Sequence, residues 1–230
     1  MTHMRASAPL PAPIEADLTL DEIRAALVRD VAANAAFDGW GMRAVDAAAA
    51  AHSIDADLAR LAFDGGAMAM IDAWFAHVDA AMTEQLPPET LAAMGMTRRI
   101  TVLIEARLKI LAPSRESLRR ALSILAMPHH VTQAARLGWR AADAMWRLAG
   151  DTATDFNHYT KRASLSAVYA STIAVFLDDE SDGHADTRAF LARRIANVMQ
   201  FEKWKASVRA RREMRPSLAR FVGRLRYPPR

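Results

Sequence analysis

Apolar residues recur three or four positions apart along most of the chain, in runs of about ten to twenty residues that glycine and proline punctuate. That spacing stacks side chains along one face of a helix. Runs of β-branched residues are short, Gly is sparse, and Ala, Leu, Met and Arg are plentiful. The fold class is therefore all-α. A chain of 230 residues is long enough to bury one large helical core.

The punctuation places the helices. Residues 1–16, with Pro9, Pro11 and Pro13, read as a flexible arm, because the residue before a proline is pushed out of helical geometry. Thr19 and Glu22 form a T-x-x-E capping box that opens a helix carrying Leu20, Ile23, Leu27 and Val31, and Gly39 and Gly41 stop it. Short helices over 45–51 and 57–63 flank a turn at His52–Ile54, and a longer one with Met68, Ile71, Phe75, Val78 and Met82 on one face follows Gly65 and Gly66. Beyond Pro87 and Pro88 come a brief helix at 91–94, an amphipathic one from Ile100 to Leu111 that Pro113 ends, and one bearing Leu118, Leu122 and Leu125, with Ser114 and Ser117 as candidate caps. Residues 129–149 read as a long helix closed by Gly150. The helix at 156–178 spreads Leu165, Val168, Tyr169, Ile173 and Phe176 over more than one face and is expected to be the most buried. A polar loop at 178–184 leads to a helix with Leu191, Ile195 and Val198.

Cysteine is absent, which excludes disulfides, a Cys-ligated zinc and a thiol nucleophile. No apolar run reaches the ~20 residues that span a bilayer, and the start lacks the apolar core of a signal peptide, so a cytoplasmic protein, soluble or peripheral on the inner face of a membrane, is expected. Charge is unevenly spread: residues 17–84 carry twelve acids against four arginines, and residues 193–230 carry twelve basic side chains against two acids.

The first ordered residues, about 17–66, resemble the head of a TetR-type regulator: a helix, the turn Phe37-Asp38-Gly39-Trp40, a short alanine-rich helix, a tight turn and a second short helix at helix-turn-helix spacing. The second short helix offers Asp55 and Asp57 against Arg60 alone, and Asp64 follows, so no specific DNA binding is expected of it. A more specific run, Ala149-Gly150-Asp151-Thr152-Ala153-Thr154-Asp155-Phe156-Asn157-His158-Tyr159-Thr160-Lys161-Arg162-Ala163 followed by LSAVYAST, resembles the signature of the coenzyme Q (ubiquinone) biosynthesis accessory family, Coq-nine. Residues Trp139–Leu148 and Phe190–Met199 fit it as well.

The resemblance implies a TetR-like fold turned from DNA to lipid: a degenerate helix-turn-helix over 17–66, a lipid-binding bundle over 67–210 within the same domain, and a basic tail at 211–230. It implies an apolar pocket for an isoprenoid quinone precursor or phospholipid, with Leu122, Leu125, Trp139, Phe156, Val168, Tyr169, Thr172 and Phe176 as lining candidates. It also implies a patch that docks a late-step quinone hydroxylase, which falls on Met145, Leu148, Thr152, Asp155, His158 and Tyr159. The family commonly has Trp where His158 stands and can have a basic residue in place of Thr152. A homodimer is expected.

From the residues alone, Ser164, Ser166, Ala167, Ala170, Ser171 and Thr172 among larger apolar neighbours leave room for a ligand, although an ordinary helical core has the same composition. Asp151, Asp155 and His158 have the spacing to share a helical face, but a capping role for either aspartate competes with metal binding, and neither metal nor cofactor is expected. His129 and His130 are adjacent and point apart. No nucleophile-base order or phosphate loop appears, so catalysis is not expected. In the tail, Leu218, Phe221, Val222 and Leu225 share a face away from Arg220, Arg224 and Arg226, the pattern of an interfacial helix on anionic lipid, with packing on the domain or on a second copy as the alternative. The functional expectation is a non-enzymatic accessory protein that lifts a polyprenyl quinone precursor from the membrane and presents it to a hydroxylase. A TetR-type regulator is the rival, and an RNA-associated module lacks the aromatic platform it would need.

Overall fold

The computed structural model of the protein describes residues 18–152 and 156–213, without the side chains of Phe156 and of residues 201–213. Among those residues every regular element is helical. They fall into two compact units, Met1–Ala153 and Thr154–Arg230. The sequence reading set its internal boundary after residue 66, at the Gly65-Gly66 break. The helix that follows Gly65 packs against the first one, within the first of these units.

In the first unit, α1 (Leu20–Asp38) opens on the expected capping box: the Glu22 amide donates to Thr19 Oγ1 at 3.3 Å, and the Thr19 amide donates to Glu22 Oε2 at 2.8 Å. Its inner face, with Ile23, Leu27, Val31 and Ala35, is buried. Against it lie α2 (Met42–Ala51) and α3 (Ala56–Ala62), whose buried alanines let the short helices approach closely, and α4 (Gly66–Gln85). Trp40 anchors the turn after α1. Its ring lies 5.2 Å from that of Trp74 on α4, and its Nε1 donates to the Ser117 carbonyl at 3.0 Å.

The chain continues through α5 (Pro88–Ala92) and α6 (Met96–Leu111). A 3₁₀ turn at Ala112–Ser114 then leads straight into α7 (Arg115–Leu125). Neither serine assigned as a cap serves as one: Ser114 stands at the cap position without a side-chain bond, and Ser117 is buried and donates Oγ to the Ala32 carbonyl at 2.5 Å. Local spacing suggested a cap, whereas helix packing turned the hydroxyl inward. A second 3₁₀ turn at Pro128–His130 precedes α8 (Val131–Leu148). Gly150 closes α8 in a full Schellman motif, with Gly150 N donating to Arg147 O and Asp151 N to Trp146 O, each at 2.9 Å. This needs the positive φ of 88° at Gly150. Arg99 clamps the same end, its Nη1 donating to the Ala149 carbonyl at 2.7 Å and its Nε to the Met94 carbonyl at 2.8 Å.

An ion cluster, buried at Arg107 and open to solvent at Asp72, ties three of these helices. Arg107 on α6 has no exposed surface and pairs through Nη1 with Asp79 on α4. Arg140 on α8 reaches the other oxygen of Asp79 at 3.3 Å and donates to Asp72 Oδ1 at 2.8 Å and to the Asp72 carbonyl at 2.9 Å.

In the second unit, α9 (Phe156–Asp178) packs along α10 (Ala185–Glu213). The sequence reading expected α9 to be buried on most sides. Instead its apolar residues share one face: Leu165, Val168, Tyr169, Thr172, Ile173 and Phe176 are buried, while Ala163, Ala167, Ala170 and Ala174 are exposed. A two-helix layer has only one side to bury, so the small residues face out. The link between the helices is built on Asp179, which accepts from the Ser181 amide at 2.8 Å with one oxygen and from the Thr187 amide at 2.8 Å with the other. The Ser181 and Thr187 hydroxyls, more than these amides, hold the Asp179 carboxyl well below the usual carboxylate range, against the opposing pull of burial. A carboxyl lowered in the folded state stabilises it above the ordinary carboxylate range, and that contribution is lost as pH falls through the folded value.

Two substitutions test these ties. Asp79→Ala removes the carboxylate that meets buried Arg107 and is expected to cost about 3–5 kcal/mol in urea unfolding, and pairing Asp79→Leu with Arg107→Met is expected to recover most of that. A loss of under about 1 kcal/mol for the single change would show that the cluster is incidental. Gly150→Ala puts a Cβ 3.3 Å from Arg99 Nη1 at a left-handed φ, for an expected loss of about 1–2 kcal/mol by the same measurement, and Gly150→Asn is expected to lose less.

Candidate functional site

The helix-turn-helix head is the first place to look for a site. Asp55 caps α3 by accepting from the Asp57 amide at 2.9 Å and the Leu58 amide at 3.1 Å. Arg60, the cation of α3, is turned back on its own fold. Its Nε and Nη2 donate to the two oxygens of Asp46 on α2 at 2.8 and 3.0 Å, and its Nη1 donates to Asp57 at 3.1 Å. This fork holds the Asp46 carboxyl below its ordinary value and raises the guanidinium in return. His52, in the turn between α2 and α3, lies 2.5 Å from Asp30 of α1. The element that a regulator of this architecture would place in the major groove therefore shows acids and leucines, with its one arginine spoken for.

The expected lipid and docking residues divide between the two units. In the first, Leu125 is buried and Leu122 and Trp139 are half-buried; Met145 is fully buried, Leu148 half-buried and Thr152 exposed. Of this half of the expected patch, Leu148 and Thr152 have exposed surface, whereas Met145, which lies one turn back on α8, points inward. Trp146 is also half-buried, seven residues after Trp139 and so on the same face of α8. Sequence reading missed it, although the spacing was the available signal.

In the second unit, Val168, Tyr169, Thr172 and Phe176 are buried. Thr172 satisfies its hydroxyl by donating to the Val168 carbonyl at 2.7 Å, and Ser166 and Ser171 likewise bond to carbonyls of their own helix. These hydroxyls are thereby taken up without a ligand. His158 is half-buried, and Tyr159, 61% exposed, sits edge-on to it with ring centres 5.2 Å apart. Asp155 and the side chain of Phe156 lie outside the described residues, as do Leu218, Arg220, Phe221, Val222, Arg224 and Leu225.

The first unit also holds a groove of about 720 Å³ that sequence reading did not anticipate. It runs between α1 and α4 towards the end of α6, past Ala33, Phe37, Trp74, His77 and Lys109. Leu122, Leu125 and Trp139 are not in its walls. Burial, with the charge of Arg29 added, lowers the His77 imidazole, which favours its neutral form. The signal in sequence was weak: alanines three apart on α1 face it, and alanine is everywhere in this chain. Among the described residues no group of three or more His, Asp or Glu is placed to hold a metal ion, and no helix is long and apolar enough to cross a membrane.

Residues 131–202, which cover α8, α9 and the first part of α10, match the COQ9 family model. The human protein named "Ubiquinone biosynthesis protein COQ9, mitochondrial" is 44% identical over 96 residues, 42% of this chain and 30% of its own length. The Bos taurus protein of that name is 32% identical over 168 residues, 70% of this chain and 52% of its own. The Drosophila melanogaster protein is 26% identical over 187 residues, 80% of this chain and 57% of its own. The chain thus spans less than two thirds of the length of each of these relatives. Among solved structures, the TetR transcriptional regulator from Nitrosomonas europaea superposes with a TM-score of 0.61 at 25% identity, over 76% of this chain and 96% of the regulator. The chain therefore carries a COQ9-family region at residues 131–202 and is a relative of the COQ9 proteins, built on a TetR-like all-α fold.

Proposed function

We propose that this chain is a lipid-binding accessory protein of ubiquinone biosynthesis, which takes up an isoprenoid quinone precursor at a membrane surface and presents it to a hydroxylase without doing chemistry itself. The observation that carries this reading is the match of residues 131–202 to the COQ9 family, whose members here are named for ubiquinone biosynthesis. The physical need is plain: a polyprenyl tail strongly favours hydrocarbon over water, so its ring reaches a soluble active site only if a protein covers the tail on the way. The apolar residues of α9 are candidates for the cover in the second unit, and Leu122, Leu125 and Trp139 are candidates in the first. Leu148, Thr152, His158 and Tyr159 are the candidates for the hydroxylase surface, and the Leu218–Leu225 segment is the candidate for the membrane. The protein would act as a homodimer.

A second reading, a ligand-responsive transcriptional regulator, is favoured by the likeness to the Nitrosomonas europaea protein. The Asp46–Arg60–Asp57 arrangement weighs against it, because a duplex would have to break a bidentate ion pair to obtain one cation.

Mass spectrometry of lipids that co-purify with the full chain is expected to recover isoprenoid quinone intermediates, enriched over bulk membrane lipid. Recovery of no lipid after purification from a quinone-producing host would overturn the proposal. In mobility-shift assays with promoter fragments at low salt, complexes are expected to disappear when competitor DNA is added, as weak charge-driven binding by the basic C-terminal region does. A sequence-specific complex that resists competitor would establish the regulator instead.

A further inference from the structure

We propose that the exposed face of α3 is a docking surface for a basic, amphipathic helix of a partner protein. The helix buries Ala59 and Ala62 and leaves Leu58 and Leu61 exposed, by 48% and 52%. Three residues apart, the two leucines stand on one face. Arg24 brings the start of α1 to the same end by donating Nε to the Ala62 carbonyl at 2.8 Å, and Leu20, one turn before Arg24, is 37% exposed. A single exposed leucine is ordinary on a protein surface. Two on a seven-residue helix, with a third on the helix it touches, make an apolar strip.

Its surroundings say what would cover it. Asp21, Asp55, Asp57 and Asp64 are exposed around the strip; Arg24 pairs with Asp21 and Arg60 with Asp46 and Asp57, so acids outnumber the arginines of α3 and the start of α1. A nucleic acid or an anionic bilayer would be repelled. A purely apolar partner would strip water from a rim that holds more carboxylates than cations. A helix with leucine-like residues at i, i+3 and i+4 and lysine or arginine alongside answers both the strip and the charges. The platform is also held rigid, by the Arg60 fork to α2 and by His52 against Asp30 on α1, so little order remains to be imposed on binding.

The test is fluorescence anisotropy of a labelled 18-residue peptide with leucines on one helical face and lysines on the other, titrated with the full chain. A scrambled peptide of the same composition and a labelled DNA duplex serve as comparisons. Saturable binding of the amphipathic peptide is expected. It should weaken about tenfold or more in Leu58→Ser/Leu61→Ser and several-fold in Asp57→Asn/Asp64→Asn, while the scrambled peptide binds more weakly throughout. Both variants change exposed side chains, so their thermal melts should match the parent. Binding that ignores the leucine substitutions, equal binding of the scrambled peptide, or no saturable binding would overturn the proposal. So would a duplex complex lost with the leucines, or self-association lost with them, which would assign the face to DNA or to a second copy.

Discussion

Arg107 is the residue around which the first unit is organised. A guanidinium with no exposed surface is costly to remove from water, and it stays charged at any physiological pH. Its position is tenable because Asp79 of α4 meets it, and Asp79 in turn draws in Arg140 of α8. One carboxylate thus fixes how α4, α6 and α8 lie against one another. α4 also packs along α1, so the head inherits its position from the same cluster. The ion pair adds directionality to the apolar packing of these helices, because its donors and acceptors must meet at bonding distance.

The head pairs a regulator-like backbone with an acidic surface. Its backbone keeps the helix, turn and helix of a DNA reader, and the TetR likeness extends over most of the chain. Its polar surface is tied up within the fold: Arg60 is folded back on Asp46 and Asp57. Trp40 and Ser117 lock the turn to α7 from behind, so the head is an integral part of its unit rather than a module that swings. A surface with this stiffness and this charge suits a protein partner, and the COQ9-family region at 131–202 leaves the head outside its bounds.

The second unit shows what family likeness and geometry each contribute. The match to COQ9 spans α9, yet the hydroxyls of Ser166, Ser171 and Thr172 are bonded along their own helix and the alanines between them face outward. Room left by small residues in a sequence is therefore not the same as a cavity. The groove beside Phe37 and His77 lies instead on helices of the first unit, where alanine spacing alone does not mark it.

The sequence alone determines whatever depends on neighbours a few residues away. The capping box at Thr19, the helix closure at Gly150, the positions of α1 to α10 and the acidic character of α3 follow from backbone angles, i to i+4 spacing and composition, all of which are local. Only the tertiary structure decided what each polar side chain meets. Ser117 looked like a cap and bonds a carbonyl 85 positions away, Trp40 reaches 77 positions to Ser117, and Arg107 finds Asp79 across 28. It likewise turned Met145 inward and split the apolar residues of α9 from its alanines. Which face of a helix is covered depends on where other helices dock, and that is set by the packing of the whole unit, which no short stretch of sequence contains.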